Sequence, residues 1–486
     1  MTGALQALAY RVSTGSGTGH TLARMDSTLA CLAAWMPRQR WYAAKGRPPS
    51  LRLVSWWDLT AATTAANARA ARVRTYLVAD EGALPVVLYQ IPVVERATET
   101  VDADPEHIIG SPEPGSTFID GPFDDAYAHA LLALVEQGGV ALGPQTTATG
   151  RPAGVAAPAG RLRVARVVSG EQSNTSLIYE GDGVPVICKV YRQLHAGLNP
   201  DIELQESLAA TGSRRVPTPI GWIEGAWPDL STAHGAVHGS LAFAQEFLPG
   251  VEDAWRVALH AAARGEDFRT QAYELGAATA DVHRGLAGCF PTHAAAAADR
   301  EATSAAWERR LAIAIAEVPE LGPQRDAIET VYRRARDVPW PPLQRIHGDF
   351  HLGQVLHAPG RGWVLVDFEG EPLRPMSERV QPDLALRDVA GMLRSFDYVA
   401  GSLRLDDPDR SPEAVREWAA AARAAFVDGY AATSGIDLDP RHPLLAALEL
   451  DKAVYEAIYE ARNRPTWVAI PLSAVARLVE RPAPVG

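Results

Sequence analysis

The segment Ile346-His347-Gly348-Asp349-Phe350-His351-Leu352-Gly353-Gln354 gathers acid, imidazole and amide side chains around two glycines. An apolar run, Trp363-Val364-Leu365-Val366, follows and ends in Asp367-Phe368-Glu369-Gly370. Asp349, Gln354 and Asp367 thus come in the order carboxylate, amide, carboxylate, the first two offset by five positions and the last two by thirteen. Phosphoryl transfer asks few groups of a protein. One carboxylate orients and deprotonates the attacking hydroxyl; an amide oxygen and a second carboxylate hold Mg²⁺ against the phosphates of ATP. A buried polar turn between two strands, with Asp367 as a helix cap, would account for the His-Gly-Asp triplet alone. It does not account for the loop, the spacing and the strand-terminal aspartate together.

Elements elsewhere must position these groups. Base and amide five apart is the spacing of the kinase catalytic loop. Gln354 stands where kinases have asparagine and offers the same carbonyl oxygen on a longer stem. Lys189 lies on an otherwise apolar strand pattern, Pro185 to Tyr191, where a lysine needs a partner or a ligand. In kinases this lysine reaches the α- and β-phosphates and pairs with a helix glutamate. Glu203 is the expected partner and Glu206 the second choice, in a helix with Asn199 as N-cap, Pro200 at its first position and an acidic first turn. The alternative is an edge-strand lysine facing water. Gly170 to Ser176 precedes that strand. Gln172, Ser173, Asn174, Thr175 and Ser176 can offer hydroxyls and backbone N–H groups to phosphate oxygens, or form a plain hairpin turn.

Phe243 to Gly250 reads either as a core strand or as a hinge between lobes, with the backbone of Glu246 and Leu248 on adenine. Tyr455, Tyr459 and Arg462 fall on one helix face, and Pro465 stops the helix before Trp467. Such a stripe is either amphipathic packing or a sugar-binding face of aromatic rings and planar donors. Asp388 either braces the catalytic loop by accepting backbone N–H bonds or makes a salt bridge. His283 reads as a helix-face histidine rather than a ligand.

Along the chain, the Gly/Ser-rich residues before Met25 read as a flexible tail (1–24). Residues 25–100 form a tryptophan-rich cap, with paired strands between Arg72 and Val94 and a turn at Glu81-Gly82. Residues 101–250 are read as an intermediate region and N-lobe, with strands at Arg161–Val168, Thr175–Tyr179 and Pro185–Tyr191. Residues 251–486 carry long Ala-, Leu- and Arg-rich helical patterns. The expected fold class is α+β: a bilobal protein-kinase-like fold, with a small β-rich N-lobe and a mainly helical C-lobe, preceded by an N-terminal cap domain.

Bulk properties exclude some classes. The 486 residues, 47% hydrophobic and 21% charged, describe globular units with sizeable cores. A net charge of −12 argues against nucleic acid and anionic membrane as partners. Three scattered cysteines with no CxxC argue against a disulfide framework or zinc and for a reducing cytoplasm. No secretion signal and no membrane-spanning run stands out.

Taken together, MPRQRWYAAKGR, EQSNTS, NPDIEL, QEFLPG, HGDFHLGQVL, DFEGEPLRP, LRDVAGMLRSFDY and YEARNRPTW resemble the bacterial maltokinases, relatives of the aminoglycoside phosphotransferases. The matching pieces run from Met36 to Trp467. The resemblance implies ATP-dependent phosphorylation of maltose at its anomeric hydroxyl. The product would be maltose 1-phosphate, feeding α-glucan (glycogen) synthesis from trehalose. It makes Asp349 the base, Gln354 and Asp367 the Mg²⁺ ligands and Lys189 the phosphate lysine. Phe350, His351, Glu369, Tyr455, Tyr459, Arg462 and Trp467 become acceptor-side residues. A trehalose-processing enzyme (trehalose synthase) is an expected partner. Two rivals stand beside this reading: an aminosugar or aminoglycoside kinase, for which Glu369 and Glu371 supply acidity, and a non-catalytic sugar or nucleotide sensor.

Overall fold

A computed structural model describes residues 17–59, 71–154, 162–168, 174–232, 235–371, 374–439 and 441–480. The chain divides into two compact units. One comprises Met1–Pro152, Ala157–Gly197 and Ile220–Ala244; the other comprises Ala153–Ala156, Leu198–Pro219 and Gln245–Gly486.

The first unit is built on two antiparallel sheets. One runs in the order Leu51–Leu59, Arg72–Asp80, Val87–Ala97, Ser116–Asp120, Ile108–Gly110. The hairpin expected at Glu81-Gly82 is there, with Asp80 opposite Val87. Side chains alternate between the two faces of a strand. That alternation buries Tyr76, Val78, Tyr89, Ile91 and Val93 in one cluster with Trp35, Trp41 and Tyr42. The sheet extends past residue 100 because Ser116–Asp120 pairs with Val93 to Ala97. The helix Gly17–Trp35 begins before the expected end of the tail; residues 1–16 lie outside the described residues.

The second sheet runs Val140–Gly143, Thr146–Pro152, Pro219–Pro228, Ala236–Glu246, Val186–Tyr191, Asn174–Gly181, Leu162–Val167. The short strand Gln193–Leu194 follows Val186–Tyr191 and pairs with Val87–Ala97 of the other sheet. A buried ion pair also joins the two sheets: Arg192 Nη2 donates to Asp120 at 2.7 Å, both side chains almost fully enclosed, and its guanidinium lies 5.0 Å from the Trp41 ring centre.

The second unit is helical around one large core, with a small sheet of Glu252–Asp253, Val355–Ala358 and Gly362–Leu365. Its helix Pro200–Ala210 starts as the sequence dictates. The Asn199 side chain accepts from the Asp201 N–H at 2.8 Å, and Pro200 occupies the first turn. A missing N–H costs nothing at that position, which has no intrahelical acceptor. The helices Leu386–Asp406 and Pro443–Asn463 both contribute side chains to the loop that carries Asp349. No helix among the described residues is long and apolar enough to cross a membrane.

Candidate active site

The loop from His347 to Gln354 is braced by Asp388, at the start of the helix Leu386–Asp406. Its two oxygens accept the backbone N–H groups of His347 at 2.8 Å and Gly348 at 2.9 Å. His283 Nε2 donates to the same carboxylate at 3.0 Å, and the Tyr430 hydroxyl sits 3.0 Å from His283 Nδ1. Burial alone would raise the Asp388 pKa; the His283 hydrogen bond and the nearby backbone donors outweigh it and hold the group below its ordinary value, because each favours the charged form. Asp388 is therefore the loop brace that its position suggested, and His283 is the group that orients that brace.

His347 ties the loop to the strand behind it. Its Nε2 lies 2.9 Å from the Val366 carbonyl. A carbonyl can only accept, so that nitrogen carries the proton. Nδ1 is left to accept the Asp349 N–H at 3.4 Å. Gly348 has φ +86, and a Cβ there would meet the Gly370 Cα at 3.2 Å. The loop and the Asp367–Gly370 turn thus approach at a position that glycine alone fills without strain.

Asp367 follows the strand Gly362–Leu365 and has φ +68, a left-handed conformation uncommon for a residue with a side chain. Such geometry concentrates at functional sites. Gln354 Nε2 donates to Asp367 Oδ2 at 2.8 Å, which brings the amide beside the second carboxylate. Carboxylate oxygens of Asp201, Asp367 and Glu369 lie within 4.8 Å of one another. Asp201, fully buried, also accepts the Phe368 N–H at 2.7 Å and Gln205 Nε2 at 2.6 Å. Oxygen ligands clustered this way, with an amide beside them, suit a hard divalent cation such as Mg²⁺.

Asp349 is half-buried, and its Oδ1 lies 3.4 Å from Lys452 Nζ. Lys452 also reaches Glu371 Oε1 at 2.9 Å and lies 5.2 Å from the Tyr455 ring centre. Burial works against the Lys452 charge, but Glu371 and Asp349 outweigh it and raise its pKa far above the ordinary lysine value. Glu371 is half-buried; its partial burial would raise its pKa, and Lys452 and Arg374 outweigh that and hold it at about 2. A small recess opens beside this pair, lined by Phe350, Tyr455, Arg310 and Asp451 as well as Lys452 and Glu371.

The other sequence-derived residues fall as follows. Phe350 is buried against His347 and lines the recess. His351 caps the turn Leu352–Gln354, its Nδ1 accepting the Gly353 N–H at 3.0 Å; the imidazole is engaged in shaping the loop. Glu203, expected to pair with Lys189, has a partner of its own in Arg345 at 2.6 Å. Lys189 is buried in the strand Val186–Tyr191, in register with Ser176.

Gln172 and Ser173 lie outside the described residues. Asn174, Thr175 and Ser176 belong to the strand Asn174–Gly181, which starts one residue before the expected Thr175 because the ladder with Val186–Tyr191 extends to Asn174. The Thr175 hydroxyl accepts from Arg192 Nε at 2.8 Å. The Glu246 N–H donates to the Thr218 carbonyl at 2.8 Å, and its carboxylate binds Thr218 and Arg361, so that N–H is already satisfied within the protein; Leu248 follows in irregular backbone.

Of the C-terminal stripe only Tyr455 reaches the recess. Tyr459 is exposed beside Arg464, Arg462 forms an ion pair with Glu317 at 2.5 Å, and Trp467 stacks on Tyr398 with Arg464 4.4 Å from its ring centre. Tyr459 and Arg462 lie further along the same helix and outside the recess lining, and Trp467 follows the helix end at Asn463. Sequence reasoning read Asp201 only as first-turn acidity and passed over Lys452, Arg310 and Asp451. Lys452 stands three residues before Tyr455 on the same helix, and that spacing was the available signal.

Comparison with known proteins finds relatives of both parts of the chain. Residues 35–124 match the maltokinase N-terminal cap domain, and residues 164–444 match the phosphotransferase enzyme family. A glucosamine kinase of Streptacidiphilus jiangxiensis is 36% identical over 299 residues, 58% of this chain and 66% of that protein, so the match spans just under two thirds of the relative's length. A glucosamine kinase of Mycolicibacterium smegmatis (strain ATCC 700084 / mc(2)155) is 29% identical over 73% of this chain and 88% of that one. Among solved structures, a glucosamine kinase in complex with glucosamine, ADP and inorganic phosphate superposes with a TM-score of 0.64 at 27% identity, covering 92% of this chain and 98% of the other.

Proposed function

This chain belongs to the phosphotransferase enzyme family, and from that premise we propose that it transfers the γ-phosphate of ATP to a hydroxyl of a small sugar. The observation that carries the proposal is the joining of Asp349, Gln354 and Asp367 in one braced loop-and-turn, with Asp201 and Glu369 beside Asp367. Asp349 takes the proton of the attacking hydroxyl. Its half-buried carboxylate stands 3.4 Å from the Lys452 ammonium, which holds one of its oxygens in place. Gln354, Asp367, Asp201 and Glu369 are the residues that would hold Mg²⁺, which when bound neutralises charge on the phosphates. Lys189 is the proposed phosphate lysine.

Two acceptors follow from two observations. The relatives' names favour glucosamine. The cap match and the motif resemblance favour maltose, phosphorylated at its anomeric hydroxyl; with it comes the proposal of a trehalose-processing partner and a place in α-glucan synthesis. The test is ATP consumption, with and without Mg²⁺, over glucosamine, maltose, glucose, trehalose and kanamycin, with product analysis. Mg²⁺-dependent turnover of glucosamine or maltose supports the sugar-kinase reading and selects the acceptor. Turnover of kanamycin alone would replace it with an aminoglycoside kinase. ATP binding without turnover of any acceptor would turn the reading to a sensor.

A further inference from the structure

The recess beside Asp349 has a lining that is more selective than its size suggests. Three cations face it, Arg310, Arg387 and Lys452, and three carboxylates, Glu371, Asp388 and Asp451. Asp388 is fully engaged by the catalytic loop and His283, and Glu371 by Lys452 and by Arg374 at 3.1 Å. Asp451 is 2% exposed; its Oδ2 takes Arg310, and its Oδ1 has no hydrogen-bond partner among the described residues. An unpaired carboxylate oxygen in a closed site carries a substantial desolvation cost until a donor arrives. The Lys452 ammonium has three N–H donors, of which Asp349 and Glu371 accept two.

A cavity of about 20 Å³ remains beside these groups. That is room for a group of one or two heavy atoms and not for a sugar ring. An entering group must therefore be small; one that both donates, to a carboxylate such as Asp451, and accepts, from the Lys452 ammonium, matches the lining. A hydroxyl does both. An ammonium meets three cations whose charges the lining already balances, and a hydrogen or methyl leaves both polar partners unmatched.

We propose that this recess reads one hydroxyl of the acceptor sugar, next to the hydroxyl that is phosphorylated, with Lys452 and Asp451 as its specificity-determining residues. This rests on the sugar-kinase reading and deepens it. If glucosamine is the acceptor, its amino group lies outside the recess.

The test uses the full chain and whichever sugar it turns over, together with the monodeoxy, deoxyfluoro and amino analogues of that sugar. At one position flanking the attacked hydroxyl, the deoxy and amino analogues should lose about 10- to 100-fold in kcat/KM, the loss expected when a hydrogen bond to a charged group goes unmade. The fluoro analogue, which accepts but does not donate, should fall between. Lys452→Met should lower kcat/KM for the parent sugar and compress that deoxy discrimination to below about 3-fold. Should Lys452→Met fail to fold, Asp451→Asn is the second variant; it keeps the volume and should compress the discrimination in the same way. No sensitive flanking position in the wild-type protein, or an unchanged pattern in a folded variant, would overturn this inference and leave the sugar-kinase reading intact. A wild-type protein that neither turns over nor binds any sugar would overturn both.

Discussion

At the scale of single residues, the site depends on charges that neutralise one another out of water. Glu371 and Lys452 are the clearest case. Glu371 is held at about 2 against an ordinary 4.5, so its ionised form is favoured by folding. A depressed carboxyl contributes stability that is fully present above its unfolded pKa and is lost as pH falls through the folded value. Urea midpoints for the wild-type protein should therefore decline between pH 4.5 and about 2. Lys452→Met removes the ammonium 2.9 Å from Glu371, so the variant should be less stable at neutral pH and should lose less on acidification through that window. Parallel curves for the two proteins would show that the pair does not set the Glu371 pKa. Lys452, and the place of Asp201 beside Asp367, escaped sequence reasoning for a physical reason. Asp349, Gln354 and Asp367 lie close along the chain, where spacing is informative; Asp201 joins Asp367, and Lys452 joins Asp349, only through tertiary folding.

At the scale of elements, the catalytic loop has little regular structure of its own and takes its shape from what it packs against. The helix Leu386–Asp406 supplies Asp388 from its first turn and Gly391 from its second. A Cβ on Gly391 would lie 2.5 Å from the Phe350 carbonyl oxygen, closer than any relaxed contact. Gly391→Ala should therefore push helix and loop apart, with a cost of about 1–3 kcal/mol and a lower thermal midpoint; an unchanged midpoint would mean that the helix yields without strain. The capped helix at Asn199, the hairpin between Arg72 and Val94, and the strand leading to Asp367 were all legible from local patterns. The strand start at Asn174 was not. The expected strand began at Thr175; Asn174 has turn propensity, and only its pairing with Tyr191 draws it into the sheet. The helix face that ends before Pro465 was legible, but not which of its residues reach the recess: Tyr459, Arg462 and Trp467 find partners in Arg464, Glu317 and Tyr398 instead.

At the scale of the whole molecule, the cap is part of the first unit's structure. Gln193–Leu194 pairs with the cap strand Val87–Ala97, Gln90 donates to the carbonyls of Tyr191 and Leu241, and Arg192 is neutralised by Asp120. Asp120→Ala would leave a fully buried guanidinium without its carboxylate, at a cost of about 3–5 kcal/mol. The cap and the second sheet should lose protection from hydrogen exchange together in that variant; loss confined to residues before Asp120 would contradict the coupling. Beyond these contacts, the function proposed above is that of a sugar kinase whose base is Asp349. The most direct test compares wild type with Asp349→Asn on the sugar that wild type turns over, measuring turnover and sugar binding side by side. The expected result is a fall in kcat of about 10²- to 10⁴-fold, with sugar affinity little changed. Turnover in Asp349→Asn within a few-fold of wild type would contradict the assignment.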